Sequence, residues 1–392
     1  MSNTAALVVG IPLLAYLYIV RRRRYARAHK ISRGFASRPL SSMTLKEAYA
    51  IIEELQTLEF PTAFDKARAY ALLKTGGIPT ISKLLMATGQ SSEKNAPKRA
   101  VDTNIILMET QTNDVDSDRH FRAVARMNYL HERYRKAGKI LDEDMLHTLG
   151  SGMAEIIRFV DDYEWRRLSD VEVCALGVWH RALGDAMKIP YTALPSHEEG
   201  WADGLQFARE LERWVGEYEA RVAVNTPSNS AFVSRYIESK IGKVRPALKP
   251  LLKRALAADL DDTMRKSMGL QEPGLLLKCV VRLIQTGRWL ALRYVRLPRP
   301  ETQPRRHLQE KPDPDSGLYN FRHGYVEPWY LSPGHRRQVD PERYRGKGYS
   351  LDTVGPLPQE GKGVEEMDAT VEVLRNLEGR GCPFGHGKGS SL

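Results

Sequence analysis

Residues 142–162 read DEDMLHTLGSGMAEIIRFVDD, and this stretch decides the class of fold. Its apolar side chains recur every three or four residues, which is the period of one face of an α-helix. The stripe consists of Met145, Leu146, Leu149, Met153, Ile156, Ile157 and Val160. Asp142 precedes the stripe and can cap the helix. The stretch therefore predicts a core-facing helix of about six turns.

The same helical pattern extends from residue 44 to about residue 295. Thr44, Ser169 and Ser196 are each followed three residues later by a glutamate, a spacing typical of the capping box at a helix start. No convincing run of alternating apolar and polar residues interrupts the pattern. We therefore expect an all-α domain over residues 44–296.

The composition changes beyond that domain, because 11 of the 22 prolines fall in residues 298–392. Proline removes a backbone donor and interrupts both helices and strands. Residues 297–392 should therefore form an irregular C-terminal arm.

The N-terminus has the pattern of a membrane anchor. Residues 5–20 are apolar and uncharged, and Arg21, Arg22, Arg23 and Arg24 follow at once. As a helix this run spans about 24 Å, slightly less than a ~30 Å hydrocarbon core. We expect a transmembrane anchor with its basic flank in residues 1–24 and a juxtamembrane linker in residues 25–43. The positive-inside rule then places the main domain in the cytosol. A mitochondrial targeting segment is the alternative, because residues 27–42 are acid-free and rich in Ser and Arg.

The net charge of +11 comes from one segment of the chain. Residues 1–46 hold nine Lys and Arg and no acidic residue, which leaves 50 basic against 48 acidic residues elsewhere. A near-neutral domain gives no support to nucleic-acid binding, whereas a basic block beside an apolar one is typical of a membrane surface. The three cysteines, at 174, 279 and 382, are too few and too widely spaced for a disulfide framework or a four-cysteine zinc site.

One histidine occupies the centre of a helix stripe. On a predicted helix over residues 119–136, His131 falls on the same face as Val124 and Met127. A core imidazole that is hydrogen-bonded to a backbone carbonyl would explain this position. A metal or haem ligand would also explain it, since a rigid helix can present a neutral imidazole to iron.

The preceding helix has a candidate cationic site. Asn95 and Pro97 begin it, and Arg99 and Thr103 lie four residues apart on one face. A surface arginine is the ordinary interpretation. Beside an inward-facing histidine, however, a cationic donor could stabilise negative charge that develops on dioxygen.

These residues form part of a recognisable pattern. Arg99-x-x-x-Thr103 is followed by ARMNYLH at residues 125–131, then by YEWR at 163–166 and by GWADG at 200–204. In this pattern residues 44–295 resemble the mpaB-type ER-bound oxygenases of fungal secondary metabolism. Those proteins are distantly similar to bacterial latex-clearing proteins, which hold a b-type haem in a globin-like helical domain.

The resemblance implies a globin-like bundle in which His131 and Arg126 match the positions that bind haem b, with His131 on the iron. Arg99 and Thr103 match the catalytic pair beside the oxygen pocket. Asp102 stands where the rubber-cleaving relatives can carry a lysine that closes the sixth coordination site of the iron, so a lysine-capped state is not expected.

Two functions follow from these observations. The first is a haem-dependent oxygenase at the ER membrane that uses dioxygen to cleave a C=C bond of a prenylated, hydrophobic small molecule. The second is a non-catalytic helical protein, tethered to the ER, that holds a lipid or a partner. The sequence does not indicate an oligomeric state.

Overall fold

α-Helices provide nearly all the regular structure of the described residues, which are 3–322, 327–331, 340–377 and 384 of a computed structural model. For residues 3–9 the backbone alone is described. The α-helices of this part of the chain are α1 (Asn3–Gly34), α2 (Leu45–Glu54), α3 (Pro61–Thr75), α4 (Pro79–Ala87), α5 (Ala96–Thr112), α6 (Asp118–Lys136), α7 (Asp142–Tyr163), α8 (Asp170–Ala186), α9 (Gly204–Val222), α10 (Pro227–Ile241), α11 (Lys249–Ala257), α12 (Asp262–Ser267), α13 (Leu275–Leu290) and α14 (Val364–Leu377). Within the same residues, β pairing is limited to two isolated bridges in the arm. The prediction of an all-α fold is confirmed for these residues.

The start of most helices follows local capping chemistry. Thr44 and Ser169 form the predicted capping boxes at the start of α2 and α8. The box predicted at Ser196 is wrong, because that hydroxyl donates instead to Glu210, at 2.6 Å. The next helix, α9, begins further along the chain, where the Asp203 side chain accepts a hydrogen bond from the backbone. Ser196 and Glu199 have the spacing of a capping box, but the Glu210 carboxylate, which is distant in sequence, takes the hydrogen bond of the serine hydroxyl.

Helix α7 runs through the centre of the core. The cap predicted at Asp142 is wrong, because Asp142 is the first residue of the helix and Leu141 occupies the cap position without a side-chain hydrogen bond. All seven residues of the predicted stripe are buried. The stripe packs between α3 on one side and α8 and α9 on the other. Burial of this face stabilises the domain in proportion to the apolar area removed from water.

A buried ionic cluster joins three of the core helices. Lys74 of α3 pairs with Glu155 of α7 at 3.0 Å and with Glu219 of α9 at 2.9 Å. The imidazole of His147 contacts the other oxygen of Glu219 at 3.0 Å. Burial favours the neutral carboxyl, but the hydrogen bond from His147 and the charge of Lys74 outweigh it and lower the pKa of Glu219. His147 is therefore committed to the interface of α7 and α9.

Two glycines allow α8 and α9 to approach backbone to backbone. A Cβ at Gly177 would lie 1.9 Å from the carbonyl oxygen of Gly204, which is far inside van der Waals contact. A Cβ at Gly204 would lie 2.4 Å from the carbonyl oxygen of Cys174. Only glycine fits at this crossing, which fixes the distance between the two helices.

Helix α1 is half docked and half exposed. Its C-terminal half is held by Arg24, which is buried over the ring of Trp165, and by Arg27, which pairs with Glu59 at 3.0 Å. Its N-terminal half exposes Ile11, Leu14 and other large apolar side chains. Among the described residues, no helix is both long and apolar enough to cross a membrane. The side chains of residues 5–9, where the predicted anchor begins, lie outside the described part.

The C-terminal arm packs on the helical domain. It is irregular, as predicted, over its described residues up to 363, but it then contains α14, which lies against α6. Tyr330 and Tyr349 of the arm are buried, and their hydroxyls donate to Asp102 and Glu109 of α5. Cys382 lies outside the described residues.

We predict that Gly177→Ala destabilises the protein by about 2–3 kcal/mol, because its methyl group forces apart two packed backbones. Gly216→Ala is the matched control, since a Cβ at Gly216 of α9 meets nothing within 4 Å. That change should stabilise the fold by about 0.5–1 kcal/mol through helix propensity. Urea denaturation curves of the two variants measure the difference. Equal stability of the two proteins would contradict the close approach of α8 and α9.

Candidate active site

A cavity of about 2520 Å³ lies between α5, α6, α7 and α8, with contributions from α4 and the arm. Ordinary small-molecule pockets measure roughly 300–1,000 Å³. The apolar part of the lining includes Ile106, Val124, Met127, Leu149 and Leu183. The space is therefore large enough for more than one small molecule, and most of its wall suits a hydrophobic one.

The structure brings together three of the four site residues predicted from the sequence. Arg99 and Thr103 of α5 and His131 of α6 all line this cavity. Arg126 is not among the lining residues, although it is on the same helix as His131.

Arg99 is a half-buried cation with spare hydrogen-bonding capacity. One of its terminal nitrogens donates to the hydroxyl of Ser91 at 2.8 Å, and its guanidinium lies 5.6 Å from the ring of Phe232. No carboxylate within the described residues forms an ion pair with it. Burial lowers its pKa to about 10, so it remains charged at neutral pH. A guanidinium has five N–H donors, and those that Arg99 does not use are available to a ligand.

His131 is a neutral imidazole at the wall of the cavity. Burial and the charges of Arg135 and Arg99 lower its pKa to about 4. A hydrogen bond with the carbonyl of Met127, one turn earlier, opposes this shift, although the contact at the buried Nδ1 falls short of full hydrogen-bond geometry. A neutral imidazole keeps a ring nitrogen lone pair, so His131 could bind a metal ion.

Three further imidazoles, those of His120, His180 and His197, line the same cavity. His180 of α8 is buried, and its Nδ1 lies 2.7 Å from the carbonyl oxygen of Leu176, one turn earlier. If Nδ1 carries the proton, Nε2 keeps its lone pair, which is the arrangement found in many metal-binding histidines. Burial lowers the pKa of His180 to about 4, so this ring is also neutral. Sequence reasoning did not select His180 as a ligand, although it follows Val173 and Leu176 at helical spacing on the apolar face of α8.

Asp102 lines the cavity as part of a polar cluster. Lys98 pairs with it at 2.8 Å, and the Tyr330 hydroxyl donates to its other oxygen at 2.8 Å. Burial raises the pKa of Asp102 to about 6, although Lys98 opposes this shift. The Lys98 ammonium also donates to the carbonyl of Gly355 at 2.7 Å. Both charges are therefore used to hold the arm against α5.

Arg126 holds the arm against α6. Its Nε and both terminal nitrogens donate to the backbone carbonyls of Val354, Gln359 and Lys362 at 2.8–2.9 Å. The side chain is fully buried. Arg126 therefore fastens the arm to α6, and its expected contact with a cofactor stays a prediction.

The residues of the cavity fit a haem in chemistry and in space. A porphyrin supplies four nitrogen ligands to its iron, so the protein needs to supply only one or two. The neutral imidazoles of His131 and His180 line the cavity, and either could supply such a ligand. Among the described residues, no group of three or more His, Cys, Asp or Glu side chains could hold a metal ion.

Fold and cavity together define a class: an all-α protein with a large, mainly apolar cavity. Its wall carries the cation Arg99 and the neutral imidazoles of His120, His131 and His180. No family model matches the chain. It is 32% identical over 399 residues to the ER-bound oxygenase mpaB' of Penicillium brevicompactum, covering 96% of this chain and 94% of the relative.

Two further relatives carry the same description. The ER-bound oxygenase mpaB of Penicillium brevicompactum is 34% identical over 325 residues, which cover 82% of this chain and 76% of the relative. The ER-bound oxygenase mpaB of Penicillium roqueforti (strain FM164) is 36% identical over 272 residues. These cover 68% of this chain and 91% of the relative. The chain therefore belongs to the mpaB family of ER-bound oxygenases.

We predict that Arg126→Met releases the arm, because three buried carbonyls lose their donors, and that it costs at least about 2 kcal/mol of stability. Hydrogen exchange of the backbone amides in residues 350–377 should become faster. Arg133→Met is the control, because Arg133 is on the same helix but exposed, and its guanidinium contacts only the hydroxyl of neighbouring Tyr134. Unchanged protection of the arm in Arg126→Met would show that this arginine does not fasten it.

Proposed function

We propose that this protein is a haem-dependent oxygenase at the ER membrane that cleaves a C=C bond of a prenylated, hydrophobic substrate. The observation that carries the proposal is that a half-buried guanidinium, Arg99, and a neutral imidazole, His131, line one large, mainly apolar cavity. The names of the relatives support the oxygenase class and the ER location.

The wall of the cavity supports the substrate class. Its apolar side chains favour a hydrocarbon chain by removing it from water, and the volume of about 2520 Å³ accommodates a cofactor together with an extended chain. A prenylated small molecule has such a chain, and each isoprene unit in it contains one C=C bond.

The cofactor is haem b, which His131 would hold. A haem bound there would supply an iron centre that binds and activates dioxygen. The neutral state of His131 at physiological pH leaves a ring nitrogen lone pair available for coordination.

The chain's own residues provide charge and orientation. Arg99 holds a positive charge at the cavity wall, where its free N–H groups stabilise negative charge that develops on oxygen. Thr103 lies one turn further along α5 and adds a hydroxyl on the same face.

The overall reaction balances without an external reductant. One C=C bond and one molecule of dioxygen are consumed, and two carbonyl groups form, each with one of the two oxygen atoms. The carbons are oxidised and dioxygen is reduced. The expected products are therefore aldehyde or ketone fragments of the hydrophobic chain.

The protein attaches to the ER membrane through the apolar N-terminal half of α1. The arginines at 21–24 follow that half directly, and the positive-inside rule keeps them, and the domain behind them, on the cytosolic side.

We predict that Arg99→Ala retains the bound haem but lowers turnover on the order of 100-fold, because one preorganised donor is lost. Thr103→Ala should have a smaller effect. The rate of product formation from a farnesyl-bearing phenol measures turnover in each variant. With labelled dioxygen, the label should appear in the carbonyl groups of the products. Full activity of Arg99→Ala, or product formation without dioxygen, would exclude this mechanism. The alternative of a tethered lipid-binding protein, which the apolar cavity also suits, would then stand.

We also predict that His131→Ala loses the haem, whereas His147→Ala and His180→Ala retain it. His147→Ala is the control for folding, because that ring is engaged with Glu219 outside the cavity. His180→Ala is the decisive comparison, because His180 faces the same cavity. The ratio of Soret absorbance to protein measures haem in each variant. Loss of haem from His180→Ala, with haem retained in His131→Ala, would show that His180 of α8 is the ligand.

A further inference from the structure

Helix α13 is amphipathic with its apolar face turned to solvent. Leu276, Val280, Leu283 and Leu290 follow helical spacing along one face, and all four are exposed. Leu276 and Leu283 are 79% and 73% exposed. A soluble protein normally turns such a face into its core, so this contiguous apolar stripe requires an explanation.

The polar side of α13 holds the helix to the domain. Arg288 donates to the Glu164 carboxylate at 2.6 Å and to the carbonyl of Tyr163 at 3.1 Å. Gln285 donates to Asp259 at 2.9 Å. These contacts fix the rotation of the helix, so the outward direction of the stripe is set by specific bonds.

Helix α1 lies beside the chain that follows α13. The Tyr16 hydroxyl donates to the carbonyl of Val295 at 2.8 Å, and Arg27 donates to the carbonyl of Arg299 at 2.7 Å. The exposed apolar residues of α1, such as Leu14, therefore stand next to the end of the α13 segment. The two helices expose apolar side chains in neighbouring parts of one surface.

The charge around the stripe selects the kind of partner. Residues 273–300 contain six basic residues and no acidic one. Arg282 is exposed and, by helical spacing, flanks the stripe on one side, whereas Lys278 lies on the opposite face and pairs with Glu272 at 3.0 Å. An apolar stripe on a segment with a basic excess matches the interface of a bilayer that contains anionic lipids.

We propose that α13 is a second membrane-contact element, which lies in the plane of an anionic membrane surface with its stripe among the acyl chains, beside the attachment through α1. The inference extends the proposed location at the ER membrane, but its test uses no substrate, haem or turnover. Its failure would therefore leave the proposed reaction untouched.

Cys279 provides a native reporter on this surface. It is exposed, lies on α13 next to the stripe, and Cys174 is buried. A full-length Cys382→Ser chain carrying an environment-sensitive nitrobenzoxadiazole dye on Cys279 is added to vesicles of phosphatidylcholine with or without phosphatidylserine. We expect a blue shift of the dye emission with vesicles, quenching by spin-labelled acyl chains, and a larger response with phosphatidylserine.

Matched variants distinguish insertion of the stripe into lipid from unspecific binding of the chain to vesicles. Leu283→Glu should reduce the partition of the dye into vesicles by about tenfold or more, since burial of one leucine is lost. Leu141→Glu, an exposed leucine at the far end of α7 from the Tyr163 contact, should leave it unchanged. Arg282→Gln should weaken the phosphatidylserine response by about fivefold, and Lys139→Gln should not.

Two results would overturn the proposal. Unchanged dye emission while the chain floats with the vesicles would show that α1 alone contacts the lipid. Alternatively, a blue shift without vesicles that grows with protein concentration, together with a dimer in light scattering, would show that a second copy of the chain covers the stripe.

Discussion

The fold depends on keeping a large space open between α5, α6, α7 and α8. Helices usually gain stability by packing against each other, but across this cavity of about 2520 Å³ they cannot. The wall is therefore held from behind by polar contacts. The Lys74 cluster joins α3, α7 and α9, the glycine crossing joins α8 and α9, and Arg126 and Asp102 join α6 and α5 to the arm.

The same burial sets the charge of each group in the cavity wall. It lowers the pKa of His131 to about 4, which keeps that ring neutral, and lowers the pKa of Arg99 only to about 10, which leaves that group charged. It also raises the pKa of Asp102 to about 6, but Lys98 and Tyr330 occupy that carboxyl. One apolar space thus contains a cation with free donors and a neutral base, which is the combination that the proposed oxygen chemistry requires.

Local patterns in the sequence predict the helices and part of the site. The stripe of α7 and two of three capping boxes agree with the structure, because each depends on residues within a few helical turns. Arg99, Thr103 and His131 line one cavity, but their roles there stay predictions. The hydrogen bonds of Arg126 to the arm could not be predicted, because its three partners lie more than 220 residues further along the chain. Sequence periodicity also does not tell whether an apolar helix face packs in the core or faces solvent. The hydrogen bonds of Arg288 and Gln285 show that the apolar face of α13 faces solvent.

The central claim is that the cavity of the native protein holds one haem. A pyridine haemochrome assay on the full-length chain, purified from membranes of cells supplied with a haem precursor, tests it most directly. The account predicts the spectrum of haem b at about one haem per chain. Folded full-length protein that contains no haem after such a purification, and takes none up from added haemin, would contradict it.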